Sequence, residues 1–301
     1  MTTLFAPSID LPAQSYSVLR DVLSLTKARL SFLVIFTCAL GIFLAPATVS
    51  VTVALVSMIA TSGLVAGACI INCVMEKDID AQMERTKYRP LPAGRIKPQT
   101  ATLLGISLIT TCLAALFFIV NPLTAVLGFI ATLTYVFLYT PMKQKTAWAL
   151  FAGAVPGAIP PLMGWTTVTN EMSVFGWVLF GILFVWQLPH FLSISIYHAD
   201  DYKRAGLKIF PDSLTLKTVI HKIVIYTFLL MGVTALPYFL GYNGLEYLVF
   251  TLVIGALFSV LALWGYSFET NKPELLKWSR RYFYSTLLYL PCIFTAMLLL
   301  K

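Results

Sequence analysis

The chain has 301 residues, of which 58% are hydrophobic and only 11% charged, and its mean hydropathy is +0.83. A soluble globular protein carries about 25% charge, so a soluble enzyme or carrier is excluded and an integral membrane protein remains. The net charge of +8 does not indicate a nucleic-acid binder, because the basic residues are confined to one side of the membrane.

In chain order, residues 1–28 come first. They lack the apolar core of a cleavable signal and are expected to form a short polar tail. A spanning helix needs roughly 20 mainly apolar residues. Nine segments qualify: 29–46, 51–74, 101–120, 122–140, 147–165, 173–196, 218–240, 244–266 and 282–300. The tightest turn falls at Asn121–Pro122. The fifth segment carries Pro156, Pro160 and Pro161, and interior prolines remove backbone hydrogen bonds, so this helix is expected to kink or break.

Nine spans place the termini on opposite sides. Of the 21 Lys and Arg residues, all but Lys301 then fall on the tail and the even-numbered loops. Basic loops stay in the cytoplasm, so the N-terminus is expected there and the C-terminus on the far side. The expected fold is one all-α domain over 1–301, a nine-helix polytopic bundle around a central cavity with cytoplasmic cap loops. Cys38, Cys69, Cys73, Cys112 and Cys292 sit in or beside apolar runs without a CxxC pair. They read as small core residues, not as a disulfide framework or a zinc site.

The two long basic-side loops, about 75–100 and 197–217, hold Glu76, Asp78, Asp80, Glu84, Asp200, Asp201 and Asp212. Function is expected at this face. In NCVMEKDIDAQMERT, Asn72, Glu76 and Asp80 fall four apart. At about 100° per residue they stay within about 80° of one another on a helix. An amide and two carboxylates pointing one way suit Mg²⁺ shared with a substrate phosphate. RTKYRPLPAGR follows, with Arg85, Lys87, Arg89 and Arg95. Cations beside a carboxylate-bound metal suit a diphosphate. The bland alternative is a loop whose acids and bases neutralise one another. Lys143 and Lys145 add a third basic cluster, or simply anchor the fourth span. In the second loop, WQLPHFLSISIYHADDYKRAGLKIFP aligns His190, Tyr197 and Asp201 along one helical direction. An intramembrane His is costly and usually functional. Haem-iron ligation, substrate contact, proton transfer and a hydrogen bond to a neighbouring helix all remain open for it.

These stretches, with LTKARLSFLVIFT, YTPMKQKTAWALFAGAVPGAIPPLMGW and RRYFYSTLLYLP, resemble the UbiA-type intramembrane prenyltransferase superfamily and, within it, the haem O synthase branch. The resemblance implies transfer of farnesyl from farnesyl diphosphate to a vinyl group of haem b in a lipid bilayer, with water addition and Mg²⁺ as cofactor. It implies the bacterial inner membrane, and a haem A-forming enzyme or terminal oxidase as downstream partner. It assigns Asn72, Glu76 and Asp80 to the metal and catalysis. Arg85, Lys87, Arg89, Lys143 and Lys145 would bind the diphosphate, Asp200, Asp201 and Tyr202 would complete the site, and His190 would face the haem. The chain has Glu76 where the wider superfamily usually has Asp and Cys73 where it usually has an acid, and its second-loop acids are adjacent. A prenyltransferase for a quinone precursor or other lipid acceptor is the first alternative, distinguished at His190. A non-enzymatic transporter is the second, but no convincing inverted repeat is present.

Overall fold

Ser17 opens the first helix by accepting a hydrogen bond from the Arg20 amide on its side-chain oxygen, the usual device for an orphan N-terminal donor. The computed structural model describes residues 17–199, 206, 215–268 and 272–301. Helix α1 (Val18–Leu25) is short and amphipathic, with Val18, Leu19 and Leu23 exposed and Leu25 buried. Hydropathy places this stretch in the polar tail, and the structure makes it a helix. A 55° bend separates it from the first long helix.

The long helices follow as α2 (Ala28–Leu44), α3 (Val51–Met75), α5 (Pro98–Val120), α6 (Pro122–Met142), α7 (Ala149–Thr169), α8 (Val174–Tyr197), α9 (Leu216–Phe239), α10 (Leu245–Phe268) and α11 (Lys272–Leu299). The one-turn helix α4 (Lys77–Asp80) lies between α3 and α5. No strand occurs among the described residues. A long helix therefore stands at each of the nine expected positions in the described residues. Seven of them are long and apolar enough to cross a membrane on their own, or eight spans if the bent α1–α2 pair counts as one.

Helix α7 is not in that set, because its prolines and glycines dilute its hydropathy. Contrary to the expected break, it runs without interruption from Ala149 to Thr169. It is held by packing. Gly41 of α2 and Gly164 of α7 face the partner backbone, and a Cβ at Gly41 would stand 2.9 Å from the Trp165 nitrogen. Small residues let apolar helices approach closely where lipid offers no hydrophobic drive. Asn121 makes the expected tight turn: its Oδ1 caps Thr124 N at 2.8 Å and its Nδ2 donates to Thr166 O of α7, also at 2.8 Å.

Burial sorts the bundle. Helix α8 has 72% of its apolar window buried and α5 only 17%, so α8 is central and α5 faces outward. The large exposed side chains, among them Phe32, Phe43, Leu103, Phe118, Phe137, Val260 and Leu288, form the surface that a bilayer would cover.

Candidate active site

Helix α3 carries Asn72 in its last turn and ends at Met75. Glu76 sits at the junction with φ −102° and ψ 8°, and α4 then takes Lys77–Asp80. The four-residue spacing predicts one uninterrupted helix through Asp80. The chain instead turns at Glu76, but the backbone bonds from Glu76 N to Asn72 O (3.0 Å) and from Asp80 N to Glu76 O (2.8 Å) survive the turn. Asn72, Glu76 and Asp80 end up 0, 3 and 2% exposed.

A carboxylate buried this deeply must be paired. Each of the three side chains meets its own cation. Lys27 Nζ donates to Asn72 Oδ1 at 2.9 Å. Lys143 Nζ is ion-paired with Glu76 Oε1. Arg89 Nη1 binds Asp80 Oδ2 at 2.8 Å. The Asn72 amide also donates to Thr140 Oγ1 at 3.0 Å, which settles its orientation. Arg89 and Lys143 thus come together with the acids at this end of the bundle.

Lys27 was counted only among the basic residues on the N-terminal side. It sits between α1 and α2 with φ 51° and ψ 54°, a left-handed conformation that costs a non-glycine residue of order 1 kcal/mol. Its ammonium also donates to the Tyr135 hydroxyl at 3.3 Å. Tyr135 and Tyr139 come from a widened π-helical turn of α6, Thr134–Tyr139, with ring centroids 5.5 Å apart. Such turns often mark functional positions. Lys143 Nζ lies 5.6 Å from the Tyr139 centroid. Below the two tyrosines opens an apolar cavity of about 260 Å³, walled by Leu33, Leu64, Met163, Leu183, Trp186, His190 and neighbours.

His190 is buried, stacked on Trp186 at 4.6 Å and near Phe283 at 4.9 Å. Its Nδ1 lies 2.6 Å from Thr286 Oγ1. The single hydroxyl proton of Thr286 goes to Phe283 O at 2.5 Å, so Oγ1 accepts from Nδ1–H. The neutral ring then keeps its lone pair on Nε2, on a residue that lines the cavity. Trp186 Nε1 donates to Thr286 O at 2.8 Å, a second tie between α8 and α11.

The remaining candidates are dispersed. Lys87 pairs with Glu84 at 2.7 Å on the surface, and that bond raises its pKa above the ordinary lysine value. Lys145 is exposed. Arg85 lines a second cavity of about 500 Å³. Arg95 forks onto Asp21 of α1, Nε to Oδ2 and Nη2 to Oδ1, both 2.9 Å. Asp200, Asp201 and Tyr202 lie outside the described residues.

Among the described residues no group of three or more His, Cys, Asp and Glu side chains is placed to hold a metal ion by itself. Two carboxylates and an amide are nevertheless the hard-oxygen set that suits Mg²⁺ when substrate phosphates complete its shell. The three cations would exchange their protein acceptors for phosphate oxygens, so the residues fit the ion.

A charged mouth over an apolar cavity, inside a helical membrane bundle, defines an intramembrane enzyme for a long apolar substrate with an anionic head. The chain belongs to the UbiA prenyltransferase family, which matches residues 34–288. It is 43% identical over 299 residues to the protoheme IX farnesyltransferase of Anaeromyxobacter dehalogenans (strain 2CP-C), covering 99% of each chain. Its fold is similar to that of a digeranylgeranylglyceryl phosphate synthase (TM-score 0.74, 18% identity, covering 93% of this chain and 97% of that one). It is also similar to a UbiA homolog from Archaeoglobus fulgidus solved with GPP and Mg²⁺ (TM-score 0.66, 18% identity, covering 92% and 99%).

Proposed function

We propose that this prenyltransferase moves the farnesyl group of farnesyl diphosphate to a vinyl group of haem b, giving haem O. The observation that carries the reading is the 43% identity over 99% of both chains to a protoheme IX farnesyltransferase. The geometry supports it. Lys27, Lys143 and Arg89 surround Asn72, Glu76 and Asp80 at the mouth, and leaving diphosphate needs preorganised cations there. Bound Mg²⁺ would neutralise further charge on the leaving group. Lys87 and Lys145, at the surface, raise the local concentration of an anionic substrate.

The bond between farnesyl C1 and the diphosphate oxygen breaks, and the electron pair leaves with the diphosphate. Tyr135 and Tyr139 touch the mouth lysines and line the cavity, where an aromatic ring would stabilise the allylic cation. The apolar cavity holds the isoprenoid chain and excludes bulk water. The vinyl π-pair forms the new carbon–carbon bond. One water adds to the resulting cation and loses a proton, which gives the hydroxyethylfarnesyl group. His190, with Nδ1–H committed to Thr286, presents its Nε2 lone pair as a ligand for the haem iron.

The charged end faces the cytoplasm of a bacterial inner membrane, with the N-terminus on that side and the C-terminus opposite. Haem O passes on to a haem A-forming enzyme or terminal oxidase. The test is conversion of haem b by membranes containing the protein, supplied with farnesyl diphosphate and Mg²⁺. Haem O is expected, and chelation of the metal stops its formation. No conversion of haem b, with turnover of a phenolic quinone precursor instead, overturns the reading.

A further inference from the structure

The second cavity has a feature the mouth lacks. Arg85, from the loop after α4, and Arg280, from α11, both line it. Arg280 lies over the rings of Tyr197 (5.6 Å) and Tyr284 (5.8 Å). Among the described residues neither arginine has an acid within ion-pair distance. At the mouth, Lys143 and Arg89 each hold a carboxylate and Lys27 holds an amide oxygen. Both arginines are exposed, and two guanidinium groups on one cavity, with no acid paired to either among the described residues, can each take a carboxylate of a ligand in a forked contact.

The cavity also has the right neighbours. It shares Tyr139 and Phe191 with the apolar cavity, so the two spaces adjoin at those rings. His190 packs beside Phe191 at 5.6 Å. A haem carries its two carboxylates on one edge and its two vinyl groups on the opposite edge. A haem whose carboxylates met Arg85 and Arg280 would lie against aromatic walls, pass His190 and turn its vinyl edge toward the isoprenoid cavity.

We propose that Arg280 and Arg85 form the carboxylate subsite of the acceptor, holding the two propionates of the haem and so choosing which edge of the macrocycle reaches the farnesyl cation. This inference rests on the reading of the acceptor as haem b. Aromatic walls favour a flat macrocycle over a diphosphate, and the diphosphate already has three cations at the mouth.

The test compares haem b with its dimethyl ester, in which both carboxylates are capped. Binding is followed by difference absorption with the detergent-solubilised full chain, for wild type, Arg280→Gln, Arg280→Lys and Arg85→Gln. Loss of a charge-assisted contact weakens haem b binding about tenfold or more in Arg280→Gln, and less in Arg280→Lys. The ester binds wild type and Arg280→Gln equally, and KM for farnesyl diphosphate does not move. Arg280→Gln that binds haem b as wild type does, or weakens haem b and ester alike, overturns the subsite. A raised KM for farnesyl diphosphate with haem binding intact assigns the pair to the diphosphate instead. Absence of haem binding by wild type overturns the functional reading itself, and the subsite with it.

Discussion

The mouth and the His190 corner solve opposite problems. At the mouth, the end of α3, α4, the loop after it, the start of α2 and the end of α6 bring charges together, pairing Lys143 and Arg89 with carboxylates and Lys27 with an amide oxygen before any substrate arrives. In the corner, α8 and α11 bring together no charge at all. They fix the position of one proton through a chain from His190 Nδ1 to Thr286 Oγ1 to Phe283 O. In the proposed reaction the mouth meets the charge that appears on the leaving group, and the corner orients the acceptor. Damage to the mouth should therefore act on the rate of ionisation, and damage to the corner on the placement of the acceptor.

The largest break in that contrast is Asp80→Ala. It removes one of the carboxylates proposed to hold Mg²⁺ and strands Arg89. We expect turnover to fall by about 10²–10³-fold or more, measured as haem O formed in membranes with farnesyl diphosphate and Mg²⁺, with the protein still inserted. Wild-type-like conversion would show that the acids only neutralise the loop.

Lys27→Met comes next. Charge-assisted contacts contribute about 1.5–3 kcal/mol each, so kcat/KM for farnesyl diphosphate should fall by roughly 10–100-fold. Haem affinity should not change. A shift in haem affinity alone would place Lys27 on the acceptor side.

Thr286→Val sharpens the other half. It keeps the shape of the side chain and removes the acceptor for Nδ1–H, a loss of about 0.5–1.5 kcal/mol. Haem affinity should fall about 2–10-fold and the absorption spectrum of bound haem should change. Thr286→Ser should restore both, and KM for farnesyl diphosphate should stay constant throughout. An unaltered spectrum in Thr286→Val would leave the threonine a mere helix contact.

The smallest effect is expected from Lys87→Ala. Lys87 is a surface residue paired with Glu84, and exposed pairs contribute little. At saturating substrate the rate should stay within about twofold of wild type, while KM should lose part of its dependence on ionic strength. A large loss of kcat would bring Lys87 into the diphosphate site.

What was legible in the sequence follows from which interactions are local. Eight of the nine long helices stand within a few residues of the segments marked by hydropathy, because spanning a bilayer is a property of about 20 consecutive residues; the last, expected from 282, begins ten residues earlier at Lys272, where its polar first turns carry no hydropathy signal. The three-residue face at 72, 76 and 80 was legible for the same reason: two turns of backbone hydrogen bonding hold it. Helix α1 was not. Its eight residues carry no spanning signal, and what docks it is Arg95, distant in the chain from Asp21. Lys27 meets Asn72 across 45 residues and Thr286 meets His190 across 96. No spacing rule reaches that far. The prolines of α7 misled because proline is judged against an isolated helix, whereas α7 lies among neighbours that leave its backbone no other course.

The fork between Arg95 and Asp21 has a mechanical consequence. Through it the N-terminal helix is fastened to the same loop that carries Arg89, and Lys27 follows two residues after α1 ends. Force or bulk applied to α1 is transmitted to the charged mouth of the molecule. A purification tag, a fluorescent fusion or a surface tether attached there should perturb turnover, whereas one attached after Lys301 pulls on α11 at its far end. Anyone immobilising this enzyme should hold it by its C-terminus.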